Sequence, residues 1–330
     1  MIRGWKTVGA MLTVVVCVGA ATACGGAKPP MKASPAVPGA TLWERPTDIA
    51  ARDLYFGPWG REYAPNPTDT FTLVEHKHTG VNLGMTVVDS RGREWSVKQP
   101  YPGGMDDESP VEVAVSRILS AVGYHQPPVY YLPTFTLKDD WGTHIRPGGR
   151  FRLKMEALND VGLWRWNDNP FIGSKPFEGL LVMLMMFNDT DLKDSNNTLY
   201  ERKVGNRVEQ WYVVRDVGAA LGDLNRIAPR KGDPTAFEQT PFILGVNNRQ
   251  VDLNADAWYT KLVRDRITVD EVQWASALLA QLSDRQWHDA FRAGGYDPDV
   301  AGRFIRALRG KFAMGRRLDS PPEWRTYEAY

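Results

Sequence analysis

At 330 residues, 43% hydrophobic and 24% charged, the chain is long enough for one large core or two smaller ones, and too apolar to be disordered or fibrous. Its 40 Lys and Arg against 39 Asp and Glu leave a formal charge of +1, so no net basic field draws the whole chain onto nucleic acid. The two cysteines, Cys17 and Cys24, both lie near the N-terminus, where they cannot staple the body or form a four-cysteine zinc site.

Arg3 and Lys6 precede an uncharged run from Thr7 to Ala23. A short positive region, an apolar stretch and a small-residue end are the anatomy of a secretory signal. The run closes on Ala21-Thr22-Ala23-Cys24-Gly25-Gly26, which resembles a bacterial lipobox. That resemblance implies cleavage after residue 23, lipid on Cys24, and attachment of the chain to a membrane of the cell envelope on its periplasmic or extracellular face. An ordinary signal and an uncleaved anchor helix are the alternatives. Residues 25–41 are mostly Gly, Ala, Pro, Ser and Thr, so residues 24–45 are expected to form a flexible tether behind the lipidated cysteine.

Residues 46–158 carry mostly strand signals. Thr70–Glu75 alternates weakly, and Met85–Val88 and Glu94–Gln99 flank a turn-rich Asp89–Arg93, the pattern of a hairpin. In its second strand Trp95 and Val97 share one face, Ser96 and Lys98 the other. Ser109-Pro110-Val111-Glu112 predicts a helix start with Ser109 as N-cap and Glu112 completing a capping box, and Gly123 its end. Tyr130–Leu132 and Phe151–Met155 read as further strands. His76 and His78 alternate on one strand face, which is more often a polar face than a metal site.

Residues 159–330 are mainly helical in pattern. Trp164 and Trp166 are expected in packing. Phe177 to Phe187 is almost continuously apolar and predicts a buried helix. Val269–Leu282, Ser283–Ala293 and Asp297–Phe312 alternate apolar and charged positions at helical spacing, with Arg303, Arg306, Arg309, Lys311, Arg316 and Arg317 expected on a solvated face.

The buried helix delivers the chain into Asp191-Leu192-Lys193-Asp194-Ser195-Asn196. A strand pair follows, turning at Gly205-Asn206, and the second strand ends in Asp216-Val217-Gly218. This order of buried helix, Asp-x-Lys-x-x-Asn, hairpin and Asp-x-Gly resembles the catalytic core of the protein-kinase-like superfamily, including its atypical and phosphoinositide-kinase-like branches. The resemblance implies an α+β, bilobal fold with a small, mainly β N-lobe holding one helix and a larger, mainly α C-lobe. It implies Mg2+ and ATP as cofactors, a nucleotide partner, and phosphoryl transfer to a hydroxyl acceptor. Residue by residue, Asp191 matches the group that acts on the acceptor, with Lys193 beside it; Asn196 and Asp216 match the metal ligands. Lys98 matches the phosphate-binding lysine and Glu112 its ion-pair partner. Lys154–Leu158, with Glu156 at its centre, matches the adenine-holding hinge.

Departures are visible as well. Gly80-Val81-Asn82-Leu83-Gly84 is a poor glycine-rich cover, Asp189-Thr190 precedes Asp191 and makes Asp189 an alternative base, and Val217 fills the middle of Asp-x-Gly. Over residues 76–330 the chain is also similar to a family of bacterial secreted lipoproteins, through Trp95-x-x-Lys98, Arg117-x-Leu119 and Ala121-Val122-Gly123-Tyr124, among others. A catalytically idle kinase-like protein that binds a ligand or an envelope partner is the competing expectation.

Overall fold

The computed structural model describes residues 31–35, 37–77, 83–100, 108–225, 230–256 and 259–318. The signal segment, Cys17, Cys24, His78 and most of the glycine-poor cover at 80–82 lie outside the described residues. The elements run β1 (Lys32–Ala33), β2 (Ala40–Thr41), β3 (Thr70–Lys77), β4 (Leu83–Val88), β5 (Glu94–Gln99), α1 (Glu108–Ala121), β6 (Val129–Asp139) and β7 (Gly142–Leu153). They continue as β8 (Leu158–Gly162), β9 (Asp168–Asn169), α2 (Lys175–Met186), β10 (Asn197–Val204), β11 (Arg207–Val214) and α3 (Pro234–Gln239). The chain ends in β12 (Ile243–Asn247), β13 (Gln250–Leu253), α4 (Thr260–Val263), α5 (Val269–Leu279), α6 (Asp284–Ala293) and α7 (Pro298–Arg316).

Five strands close into a barrel in the order β3-β4-β5-β7-β6. Neighbours are antiparallel except β3 and β6, whose parallel pairing of Phe71 with Leu137 closes the ring and leaves no open edge. The alternation of β5 sends Trp95 and Val97 inward, against Phe71, Phe135 and Phe151. Ring centroids 4.9 Å apart for Phe71 and Phe151, and 5.0 Å apart for Phe135 and Phe151, make this a small, aromatic-rich core. The hairpin turn is pinned by Asp89, which accepts from the backbone N–H groups of Arg91 and Arg93 and from the indole of Trp95.

The second core is larger and mostly helical. Helix α2 starts at the N-cap Ser174, whose hydroxyl accepts from Phe177 N, and it is buried on nearly every face, as its continuous apolar run predicts. Capping boxes at Thr268/Glu271 and Ser283/Gln286 open α5 and α6, and Asp297 caps α7. Trp164 and Trp166 pack in this core, 4.7 Å apart.

Three expectations require correction. Residues 31–45 are not a free tether: β1 pairs with β9, β2 pairs in parallel with β11, Leu42 is buried, and the indole of Trp43 donates to Val122 O at 2.7 Å. The composition is tether-like, but a few backbone bonds and two large apolar side chains suffice to order it. Core membership also ignores the boundary at 158, since Leu42, Ile49, Leu54 and the apolar face of α1 pack with the helices rather than with the barrel. Lys311, expected on a solvated face, is buried, because α7 turns that position toward Phe237 and the end of α2.

Candidate functional site

The register of the barrel prepares the site. Lys98 on β5 pairs with Arg150 on β7, and Ser96 with Arg152, so three cations share one face. Helix α1 meets that face with carboxylates four residues apart, Glu108 and Glu112, hence one turn apart on the same side. Glu112 is fully buried; Arg152 Nη2 lies 2.5 Å and Arg150 Nε 3.0 Å from its Oε1. Lys98 Nζ lies 2.6 Å from Glu108 Oε2 and 3.9 Å from Glu112 Oε2. The expected Lys98–Glu112 pair is therefore the longer of two contacts, and Glu108, which also contacts Lys231, is the nearer partner.

Ser109 does not cap the helix. Helix α1 begins at Glu108, and the Ser109 hydroxyl donates instead to Lys98 O at 3.1 Å, tying the helix to the end of β5. Glu112 is accordingly an ion-pair residue and not part of a capping box.

From the other side comes Asp216, just past the end of β11. Lys98 Nζ sits 3.1 Å from Asp216 Oδ1, across 118 positions of sequence. Gly218 follows with the first turn of α1 pressed against it: a Cβ there would come within 2.8 Å of the Glu108 Cβ. Glycine is needed at this position for close approach. Burial opposes ionisation of Asp216, but Lys98, then Arg152 and Arg150, hold its carboxyl down at about 2. The same carboxylates, Glu112 first, raise the Lys98 ammonium against the opposing effect of burial.

The Asp191–Asn196 loop is joined directly to Asp216. Asn196 O accepts from Arg215 N at 3.0 Å and from Asp216 N at 3.3 Å, and its side-chain Nδ2 donates to Asp191 O at 2.6 Å. Thr190 donates to Ala219 O, and Asn188, in the left-handed region at φ 56°, donates to Gly222 O. The Asp191 carboxylate is partly exposed, with Lys193 Nζ 2.9 Å away and the Tyr259 hydroxyl 3.4 Å away. Asp189 is buried beneath it. One Asp189 oxygen accepts from Asp191 N; the other has no hydrogen-bond partner among the described residues, and burial pushes the carboxyl up to about 7.

The structure thus brings together Lys98, Glu112, Asp191, Lys193, Asn196 and Asp216. Glu156 stands apart: it is exposed in the turn between Met155 and Leu158 and makes no ion pair among the described residues. Sequence reasoning missed Glu108, Arg150, Arg152 and Tyr259. The i, i+4 spacing of Glu108 and Glu112 and the alternation Arg150-Phe151-Arg152 were signals for three of them; nothing local points to Tyr259.

The site's protein ligands for a metal would be few. Among the described residues no group of three or more His, Cys, Asp or Glu could hold an ion. An ionised, partly exposed carboxylate at Asp216 and the amide oxygen of Asn196, which accepts no hydrogen bond among the described residues, still fit Mg2+, which takes one or two protein oxygens and completes its shell with phosphate and water.

No family model matches the chain, and no curated protein matches it. Among solved structures it is similar to a Golgi casein kinase, at 9% identity over 79% of this chain and 74% of that one, TM-score 0.34. It is also similar to the Helicobacter pylori proinflammatory kinase CtkA, at 10% identity over 75% and 98% of the two chains, TM-score 0.33. A third similarity is to the Rio2 kinase of Chaetomium thermophilum, solved as an ADP/Mg2+-phosphoaspartate complex, at 11% identity over 74% and 71%, TM-score 0.31. At these TM-scores the chemistry of this chain has to come from its own side chains.

Proposed function

We propose that the chain is a kinase-like, Mg2+- and ATP-dependent phosphotransferase acting on a hydroxyl acceptor, with the barrel as a small lobe and the helical body as a larger one. The observation that carries this reading is the meeting of Lys98 with Asp216 at 3.1 Å, on a strand end whose backbone is bonded to Asn196. Asn196 and Asp216 would hold Mg2+, which would supply charge neutralisation at the phosphate oxygens. Lys98 would exchange a carboxylate contact for a nucleotide phosphate. Glu108 and Glu112 keep its ammonium charged and aimed, and the turn at Met155–Leu158 would border the base.

Asp191 would accept the acceptor's hydroxyl proton on its carboxylate. Tyr259 and Lys193 orient that group, and Asn196 fixes its backbone. Phosphoryl transfer asks chiefly for positioning and charge, and these residues supply both. Lipidation of Cys24 and residence on the outer face of a membrane belong to the same proposal; intact-mass analysis showing an unmodified Cys24 removes them.

Calorimetric titration of Mg2+ and ATP into the parent, Asp216→Asn and Asp191→Asn tests the site. Asp216→Asn should weaken metal-dependent binding by at least about tenfold, whereas Asp191→Asn should bind as the parent does and lose transfer. Equal binding in all three proteins, or none in the parent, overturns the reading.

A further inference from the structure

Between residues 44–59, the C-terminal end of α1 and the β10–β11 hairpin lies a cavity of about 490 Å3. That volume falls within the range of small-molecule sites. None of Lys98, Asp191, Asn196 or Asp216 lines it, so it is separate from the site above.

Its floor is a guanidinium in an unusual position. Arg117 is only 3% exposed, yet among the described residues no carboxylate lies within ion-pair distance of it. It donates to two backbone carbonyls, Val129 O at 2.7 Å and Tyr55 O at 3.3 Å, and lies over the Tyr130 ring at 5.0 Å. Its Nη1 makes no hydrogen bond among the described residues. That nitrogen sits beneath Gly57, also in the cavity wall, where a Cβ would approach within 2.6 Å of it at a backbone φ of +75°. Burying a guanidinium whose nearby carboxylate, Asp53, lies beyond ion-pair distance is costly, and a bound anion would reduce that cost.

Two further arginines line the cavity. Arg52 donates one nitrogen to Ser120 O at 2.7 Å, and Arg202 lies over Trp211 at 4.6 Å, with Glu209 3.4 Å away. The lining acids are Glu44 and Asp53, with Glu209 paired to Arg202 and Asp48 near Arg52 behind the lining, and Asp53 is already engaged by the backbone N–H groups of Tyr55 and Phe56. His125, held neutral by burial, adds no charge.

Its walls are flat. Trp211 and His125 stack in parallel at 4.2 Å and 7°, and Trp59 stands 6.3 Å from Trp211, with its indole donating to Gln126 O at 2.9 Å. With Trp211 covered by His125 and Arg202, the partly buried Trp59 is the aromatic surface left for a ligand's body, while guanidinium groups favour a carboxylate or phosphate.

We propose that this cavity binds a small organic anion, its carboxylate or phosphate directed at Arg52, Arg117 and Arg202 and its body against Trp59. The assignment is independent of the nucleotide reading, since the two sites share no lining residue named for either.

The test uses the full chain with three probes: 1-naphthyl phosphate, 1-naphthoate and uncharged 1-naphthol. Binding is followed by calorimetry and by quenching of tryptophan fluorescence. At least one anion should saturate the chain, bind about tenfold or more tighter than naphthol, and by its identity assign the headgroup. Arg117→Gln risks misfolding, so the partly exposed Arg52→Gln and Arg202→Gln carry the test. Each should weaken the anion by at least about fivefold, while Asp216→Asn leaves it unchanged. The proposal is overturned if neither anion saturates by about 5 mM, if naphthol binds as well, if Arg52→Gln and Arg202→Gln bind as the parent does, or if Asp216→Asn abolishes binding.

Discussion

In the barrel, Glu112 of α1 is fully buried between Arg150 and Arg152, and Asp89 in the β4–β5 turn is buried against Arg93 at 2.7 Å. In the helical body, Asp189 and Lys311 are buried with no opposite charge within ion-pair distance among the described residues. Lys311 donates to Met186 O and Asn188 Oδ1 and lies over Phe237 at 3.8 Å. The consequence falls on the protonation of these groups. Asp216, beside the barrel's cations, is driven toward its charged form, whereas Asp189 rises to about 7 and Lys311 falls to about 7, both by desolvation. The barrel wall buries Glu112 and Asp89 by pairing them, whereas the body pairs Glu178 with Arg266 at 2.6 Å but buries Asp189 and Lys311 by discharging them.

The largest effect should come from breaking a pair. Glu112→Ala leaves Arg150 and Arg152 facing each other without the carboxylate they pair with, Asp216 acting only from farther off, and should cost about 3–5 kcal/mol in chemical denaturation. A cost near zero would mean that the barrel wall does not depend on this pairing.

Next is Asp189→Asn. A carboxyl raised from its ordinary value to about 7 in the folded chain stabilises least once it must ionise, so the parent loses stability as pH rises from about 4 through 7. The amide variant has no such loss. It should match the parent near pH 4 and exceed it by about 2–4 kcal/mol at pH 8, measured as the pH profile of unfolding free energy. Parallel profiles would place a hidden cation beside Asp189.

Lys311→Met probes the opposite sign. An ammonium depressed to about 7 costs most below that pH, and the parent recovers stability as pH rises from about 7 toward 10. The difference between variant and parent should therefore drift by about 1–3 kcal/mol in the parent's favour across that window, a smaller change because two acceptors and a ring retain part of the charge. Ser283→Ala supplies the uncharged reference: loss of the α6 cap should cost about 1 kcal/mol at every pH.

Much of the local structure was legible in the sequence. The alternation of Trp95 and Val97 specified β5, the unbroken apolar run specified α2, Ser283 and Asp297 marked the starts of α6 and α7, and Gly205-Asn206 marked the turn of the hairpin carrying Asp216. These succeed because caps, turns and periodicity act over a few residues, where the chain's own chemistry decides the outcome. What only the tertiary structure decided is which groups meet. The register of β5 against β7 set Arg150 beside Lys98, and the fit of α1 to that wall gave Lys98 to Glu108 ahead of Glu112. Packing of α7 turned Lys311 inward, and backbone pairing captured residues 31–45 that composition had marked as free. Such outcomes depend on the sum of packing and desolvation across distant segments, a sum that no short stretch of sequence contains.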